Sequence, residues 1–181
     1  MVSLLETELQ RRAARVRLVL SDCDGVLTDG GVYYSDQGEE MKRFSIRDGM
    51  GVERLANAGV ASGIMSGERS PSILRRAEKL GLGDHVLLGI KDKRRELGRL
   101  LERTGLALDE VAYIGDDFND LETLLLVGAV GLTAAPADAL PAVLAAVHHQ
   151  AAAKGGHGAF RDFAEWILAL RAGTTPQGGP V

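Results

Sequence analysis

Val16-Arg17-Leu18-Val19-Leu20-Ser21-Asp22-Cys23-Asp24-Gly25-Val26-Leu27-Thr28-Asp29-Gly30 is the stretch on which the reading of this chain turns. Residues 16–20 are a short β-branched and Leu run, the pattern of a strand buried on both faces of a parallel sheet. The polar, Gly-rich residues 21–31 follow as a loop at its carboxyl end. Asp22 and Asp24 share one face of an extended chain and, at its end, can approach a common ligand. Two carboxylates held this closely repel each other unless protonated or paired with a cation. Aspartate is a covalent nucleophile toward phosphorus. One carboxylate that attacks and another that shuttles a proton fit phosphoryl transfer. Turn or capping aspartates are the plainer alternative, because Asp-Gly is common in turns.

Outward from this stretch the chain alternates strand and helix. Ser3 and Glu6 read as a capping box opening a short helix. Residues 31–35 and 41–46 alternate apolar and polar side chains around Asp36-Gln37-Gly38, a β-hairpin pattern. A helix over 50–57 stops at Gly59. Strands follow over 60–66, 85–90, 111–115 and 129–132. Helices fall over 71–80, 92–104, 119–127, 138–147 and 160–170. The order predicts an α/β fold, a doubly wound (Rossmann-like) parallel sheet with helices on both faces. One domain spans 1–172, and the Gly- and Pro-containing residues 173–181 read as a flexible tail. Ligands of such sheets bind outside the strands' carboxyl ends, where the loops after Leu20, Ile64 and Ile114 fall.

The loop after Ile114 is Gly115-Asp116-Asp117-Phe118-Asn119-Asp120. Capping and the helix dipole account for one or two of its acids, not readily for three beside another acidic pair. Such a cluster needs a counter-cation, and oxygen-only ligands with a phosphate substrate favour Mg²⁺ over zinc. Ser66 and Gly67 end the strand over 60–66 and offer a hydroxyl and backbone N–H groups to a phosphate oxygen. Taken alone, Ser66 reads more simply as a turn serine. Lys93 opens a helix, where a cation opposes the dipole, which suggests that it answers an anion. Lys91 and Arg94 allow a solvated basic cluster instead.

Composition narrows the class. The chain has 181 residues, 45% hydrophobic, with four Phe, three Tyr and one Trp. This is one domain's worth of chain, long enough to bury a core without staples. Its 21 basic and 25 acidic residues, net −4, offer no footprint for nucleic acid, and few aromatics are available for base stacking. Cys23 is the single cysteine, so an internal disulfide is excluded. With no leader-like or membrane-length apolar run, the expected location is cytoplasmic, with no membrane partner.

The order Asp-x-Asp-Gly-Val-Leu-Thr, Ser-Gly, Lys, Gly-Asp-Asp-x-x-Asp resembles the haloacid dehalogenase (HAD) superfamily of phosphatases. Thr28-Asp29-Gly30, the hairpin with Gly38-Glu39-Glu40 and Lys42, Arg47-Asp48-Gly49-Met50-Gly51 and Gly155-Gly156-His157-Gly158-Ala159-Phe160-Arg161 resemble its capless 3-deoxy-manno-octulosonate 8-phosphate phosphatase branch. The resemblance covers residues 16–171 and implies a HAD-like core with a β-hairpin flap and no cap domain. It further implies that Asp22 attacks phosphorus and Asp24 is the acid and base. Asp22, the Asp24 carbonyl and Asp116 would hold Mg²⁺. Ser66 and Lys93 would hold the phosphoryl oxygens, and Asp117 and Asp120 would support the metal or Lys93. The branch also implies a homotetramer assembled through its hairpins, and Val32, Tyr33, Tyr34 and Phe44 fit that role.

One loop departs from the branch. Gly67-Glu68-Arg69 replaces the usual Gly-Arg-Lys, and Glu68 with Arg76 and Lys79 looks more like the nine-carbon keto-deoxy-nonulosonate 9-phosphate phosphatases. Glu68 could accept sugar hydroxyl protons, and Arg76 and Lys79 could meet a substrate carboxylate; a solvated basic helix face is the equal alternative. His157 stands where Arg is frequent, leaving Arg161 as the substrate contact near the C-terminus. The expected function is Mg²⁺-dependent hydrolysis of a phosphorylated 2-keto-3-deoxy sugar acid, a small-molecule partner. A phospho-accepting receiver domain is the alternative of a different class. Its weakness is Asp24, since a second carboxylate promotes hydrolysis of a stored phosphoryl group. A non-catalytic oligomerisation domain is disfavoured by the complete set of catalytic residues.

Overall fold

The computed structural model describes residues 5–174. Ser3 of the expected capping box and residues 175–181 of the expected tail lie outside them. The first helix, α1 (Glu6–Arg15), has Leu5 at its cap without a side-chain cap bond.

Strand β1 (Leu18–Ser21) leads into a hairpin of β2 (Thr28–Ser35) and β3 (Gly38–Phe44). Then come α2 (Ile46–Asn57), β4 (Ala61–Ser66), α3 (Pro71–Lys79), β5 (Val86–Leu88), α4 (Lys93–Thr104), β6 (Val111–Ile114), α5 (Phe118–Gly128), β7 (Leu132–Ala135), α6 (Pro141–Ala146), β8 (His149–Gln150) and α7 (Ala159–Arg171). The six-stranded sheet runs β5-β4-β1-β6-β7-β8, with β1 and its neighbours all parallel. The chain goes from β1 out to β4 and β5, then crosses β1 to β6, β7 and β8. The switch point therefore lies at β1, and the loops after β1, β4 and β6 meet at one rim.

Alternation along the strands explains the two helical layers. Leu18 and Leu20 of β1 pack with Tyr113, α4, α5 and α6. Val19 packs on the other face with Ile114, α1, α2, α3 and α7. From α7 alone Phe160, Phe163, Ile167 and Leu170 are buried, each worth roughly 1.5–3 kcal/mol. The intervals β1–β4 and β4–α4 hold only the hairpin, α2, α3, β5 and a 3₁₀ turn. No cap domain occurs among the described residues.

Several boundaries differ from the sequence reading, among them the helix expected over 138–147, which is α6 (Pro141–Ala146), and two of the differences have a visible cause. The helix expected over 50–57 begins at Ile46, because Ser45 caps it by accepting from the Arg47 N–H at 3.1 Å. The strand expected over 129–132 is β7, which starts only at Leu132. Arg12 of α1 holds the preceding turn, donating to the carbonyls of Gly128, Ala129 and Gly131 at 2.8–3.0 Å.

Candidate active site

Four titratable side chains, Asp22, Lys93, Asp116 and Asp120, meet where β1, β6 and the start of α4 converge. Asp22 follows β1 and is 5% exposed, and its N–H donates to the Ile114 carbonyl at 2.9 Å, fixing the loop to β6. Lys93, the first residue of α4, is 4% exposed and donates to Asp22 Oδ1 and to Asp120 Oδ1, each at 2.6 Å. The helix-opening cation thus answers two anions. Burial pulls its ammonium down, but the two carboxylates outweigh that and leave it raised and charged.

Asp120 is saturated. Its Oδ1 accepts from Lys93 and from the buried Tyr113 hydroxyl (2.5 Å), and its Oδ2 from the N–H groups of Asp116 (3.1 Å) and Asp117 (3.3 Å). Asp117 caps α5, accepting from the Phe118 N–H at 2.5 Å. So Asp120 positions Lys93, Asp117 starts the helix, and Asp116 is left facing the centre. Tyr113 is a site residue that sequence reading missed; inside an apolar strand it reads as core.

Asp22, Asp116 and Asp120 each place a carboxylate oxygen within 4.8 Å of the others. Asp116 Oδ1 is buried with no hydrogen-bond partner. Burial first, then the charges of Asp22, Asp120 and Asp117, push the Asp116 carboxyl up to about 8. Burial and Asp120 lift Asp22 to about 6 against the pull of Lys93. Carboxyls crowded this closely are ones whose charge a cation between them would offset. An oxygen-only set with an unpartnered buried oxygen fits a hard divalent ion such as Mg²⁺. Gly25 makes room for the set: at φ +89°, a Cβ there would fall 2.0 Å from Asp116 Oδ2.

The Asp24 carboxylate points elsewhere. Its Oδ1 accepts from Lys42 Nζ at 2.8 Å and Thr28 Oγ1 at 3.2 Å, and its Oδ2 is buried without a partner. Its side chain is therefore not part of the acidic triad, and its backbone carbonyl remains the expected metal contact. Lys42 is the other residue that sequence reading left without a role, although it stood in the hairpin pattern.

Ser66 ends β4, buried, its Oγ accepting from the Glu68 N–H at 3.1 Å, so its own proton is directed to another acceptor. Gly67 and Glu68 are exposed beside it. The other expected substrate contacts have partners of their own or lie at the surface. Arg76 donates to the Ser45 carbonyl at 2.7 Å and lies 5.8 Å from the Phe44 ring centre, fastening α3 to the hairpin's end. Lys79 is exposed at the end of α3. Arg161 pairs with Glu165 at 2.7 Å on α7.

A capless doubly wound sheet carrying Asp-x-Asp after its central strand, a buried lysine and an acidic loop after the adjacent strand defines a HAD-superfamily phosphatase. No protein-family model matches the sequence. The chain is 39% identical over 158 residues to the 3-deoxy-D-manno-octulosonate 8-phosphate phosphatase KdsC of Yersinia pestis, covering 87% of this chain and 82% of that one. Its fold is similar to the cobalt-bound deoxy-D-mannose-octulosonate 8-phosphate phosphatase of Haemophilus influenzae (TM-score 0.83, 36% identity, 89% and 92% of the chains covered). It is likewise similar to the Moraxella catarrhalis 3-deoxy-D-manno-octulosonate 8-phosphate phosphatase in complex with a magnesium ion, a phosphate ion and KDO (TM-score 0.85, 32% identity, 92% and 93% covered). The chain belongs to the KdsC family of the HAD superfamily.

Proposed function

We propose that this chain is a Mg²⁺-dependent phosphomonoesterase that hydrolyses 3-deoxy-D-manno-octulosonate 8-phosphate through an aspartyl-phosphate on Asp22. The observation that carries the reading is Asp22, bonded to Lys93 at 2.6 Å and within 4.8 Å of oxygens of Asp116 and Asp120. Asp22, Asp116 and the Asp24 carbonyl would hold the ion, which when bound offsets negative charge on the transferring phosphoryl group.

The residues supply the rest. A carboxylate oxygen of Asp22 bonds to phosphorus as the ester P–O bond breaks, and the departing alkoxide takes a proton from Asp24. Water then attacks phosphorus while Asp24, now a carboxylate, takes its proton, and the P–O bond to Asp22 breaks, restoring the Asp22 carboxylate and the protonated Asp24. Lys93 and the Ser66 hydroxyl hold phosphoryl oxygens. One acid and base serves both steps, which favours turnover over storage of the phosphoryl group.

The relatives' eight-carbon substrate favours that sugar length, while the exposed Glu68 beside Ser66 supports the nine-carbon keto-deoxy-nonulosonate 9-phosphate as second reading. Among the described residues no helix is long and apolar enough to cross a membrane, which supports a cytoplasmic enzyme. Assembly into a homotetramer through the hairpins is supported by Tyr33, Tyr34 and Met41, which are 60%, 73% and 59% exposed. A phosphate-release assay with Mg²⁺ and both keto-acid phosphates tests the substrate. Higher kcat/KM for the eight-carbon compound is expected, and a reversed preference installs the second reading.

A further inference from the structure

The hairpin reaches into the site with one buried cation. Lys42 of β3 has a side chain only 1% exposed, and its ammonium lies 2.8 Å from Asp24 Oδ1 and 3.4 Å from Glu39 Oε2. In a regular strand Glu39 and Lys42, three residues apart, point to opposite faces. Here β3 advances from Glu39 to Met41 while its partner strand steps only from Tyr34 to Tyr33. That bulge inserts one residue and restores both side chains to the same face. Glu39 Oε1 in turn accepts from the hydroxyl of Ser70. Ser70 stands at the cap position of α3 but makes no side-chain cap bond there, so its hydroxyl serves the hairpin instead.

The opposite side of Asp24 is fixed as well. The Gly30 N–H donates to Thr28 Oγ1 at 3.2 Å, which directs the Thr28 proton toward Asp24 Oδ1. Both donors thus fall on the same oxygen, and the other, Oδ2, is left buried and unpartnered. Under the proposed mechanism Oδ2 is the atom that gives and takes the proton. A chain of contacts running Ser70, Glu39, Lys42, Asp24 leads from the head of α3 to that atom.

Resting on the proposed phosphatase reading, we propose that Lys42 is a positioning residue that acts through Asp24, holding one carboxylate oxygen so that the other faces the leaving group and the hydrolytic water. It touches neither the acidic triad nor Lys93, so its loss acts on proton transfer and leaves substrate binding in place.

The test is a kinetic cycle on the full chain with Mg²⁺ and 3-deoxy-D-manno-octulosonate 8-phosphate, using wild type, K42M, D24N and D24N/K42M. K42M is expected to lower kcat by about thirtyfold or more with KM within about threefold, because only the transition-state arrangement is lost. Adding K42M to D24N should cost less than about threefold further, the non-additivity of two residues acting as one unit. K42M that lowers D24N as strongly as it lowers wild type, that leaves kcat unchanged, or that acts on KM alone overturns the proposal. Should K42M lose the native circular-dichroism spectrum, K42Q takes its place in the same cycle. Wild-type protein that releases no phosphate from this compound or its nine-carbon counterpart removes the function itself. Wild-type turnover with an unaffected K42M removes only the role of Lys42.

Discussion

Asp22 and Asp116 differ in what surrounds them, and that difference is measurable. Asp22 has Lys93 as a direct donor, while Asp116 has a buried oxygen facing nothing. Asp22→Asn keeps the size of the side chain and removes the nucleophile; phosphate release should fall by about a thousandfold or more, and residual turnover near wild type would exclude attack by this residue. Asp116, pushed up to about 8 chiefly by burial, holds its proton at neutral pH until a cation displaces it. A raised carboxyl favours the protonated apo protein below that value, so ion binding releases a proton there. Mg²⁺ affinity should therefore strengthen about tenfold per pH unit up to about pH 8. Calorimetric titrations at pH 6.5 and 7.5 check it, and equal affinities would contradict it. Removal of the ion by EDTA should stop turnover, and added Mg²⁺ should restore it.

At the scale of the element, β7 and β8 show both a titratable contact and the limit of what sequence discloses. His148, just before β8, is buried; its Nδ1 takes the Thr133 N–H at 3.2 Å, while its Nε2 has no partner. Burial and then the nearby Arg12 charge lower it to about 4. The unfolded chain binds this proton near pH 6.5 and the folded one near 4, so the contribution to stability is full above 6.5 and lost as pH falls toward 4. The Tm of the wild type should fall across that window relative to that of His148→Asn; parallel curves would refute the assignment. The loops after β1 and β6 could be read from sequence because clustered acids follow apolar runs, and the loop after β4 because Ser66-Gly67 ends one, each a local contrast. The start of β7 could not, since Gly128-Ala129-Val130-Gly131 is as apolar as a strand and is held as a turn by Arg12, more than a hundred residues earlier. Likewise Glu39 and Lys42 share a face only because a bulge alters the hairpin's parity, and two-residue β8 is too short to leave a pattern.

Across the whole molecule the hairpin stands apart from the six-stranded sheet, yet it is not loose. Lys42 ties it to Asp24, Arg43 ties it to the Gly156 carbonyl at 2.9 Å, and Arg76 ties its end to α3. What it leaves outward is Tyr33, Tyr34 and Met41, an apolar surface suited to a neighbouring copy. Under the proposed assembly through the hairpins, replacing Tyr33 and Tyr34 together by Glu should lower the mass measured by light scattering, because it places like charges in the contact; an unchanged mass would overturn that assembly. The Gly155 and Gly156 backbone lies so close to Gly25, Thr28 and Asp29 that a Cβ on Gly155 would fall 1.9 Å from the Gly25 carbonyl oxygen. The nucleophile's own loop is thereby shored up by a backbone segment far along the chain. A lesion in this distant segment would therefore read as a catalytic defect, although it alters no reacting group.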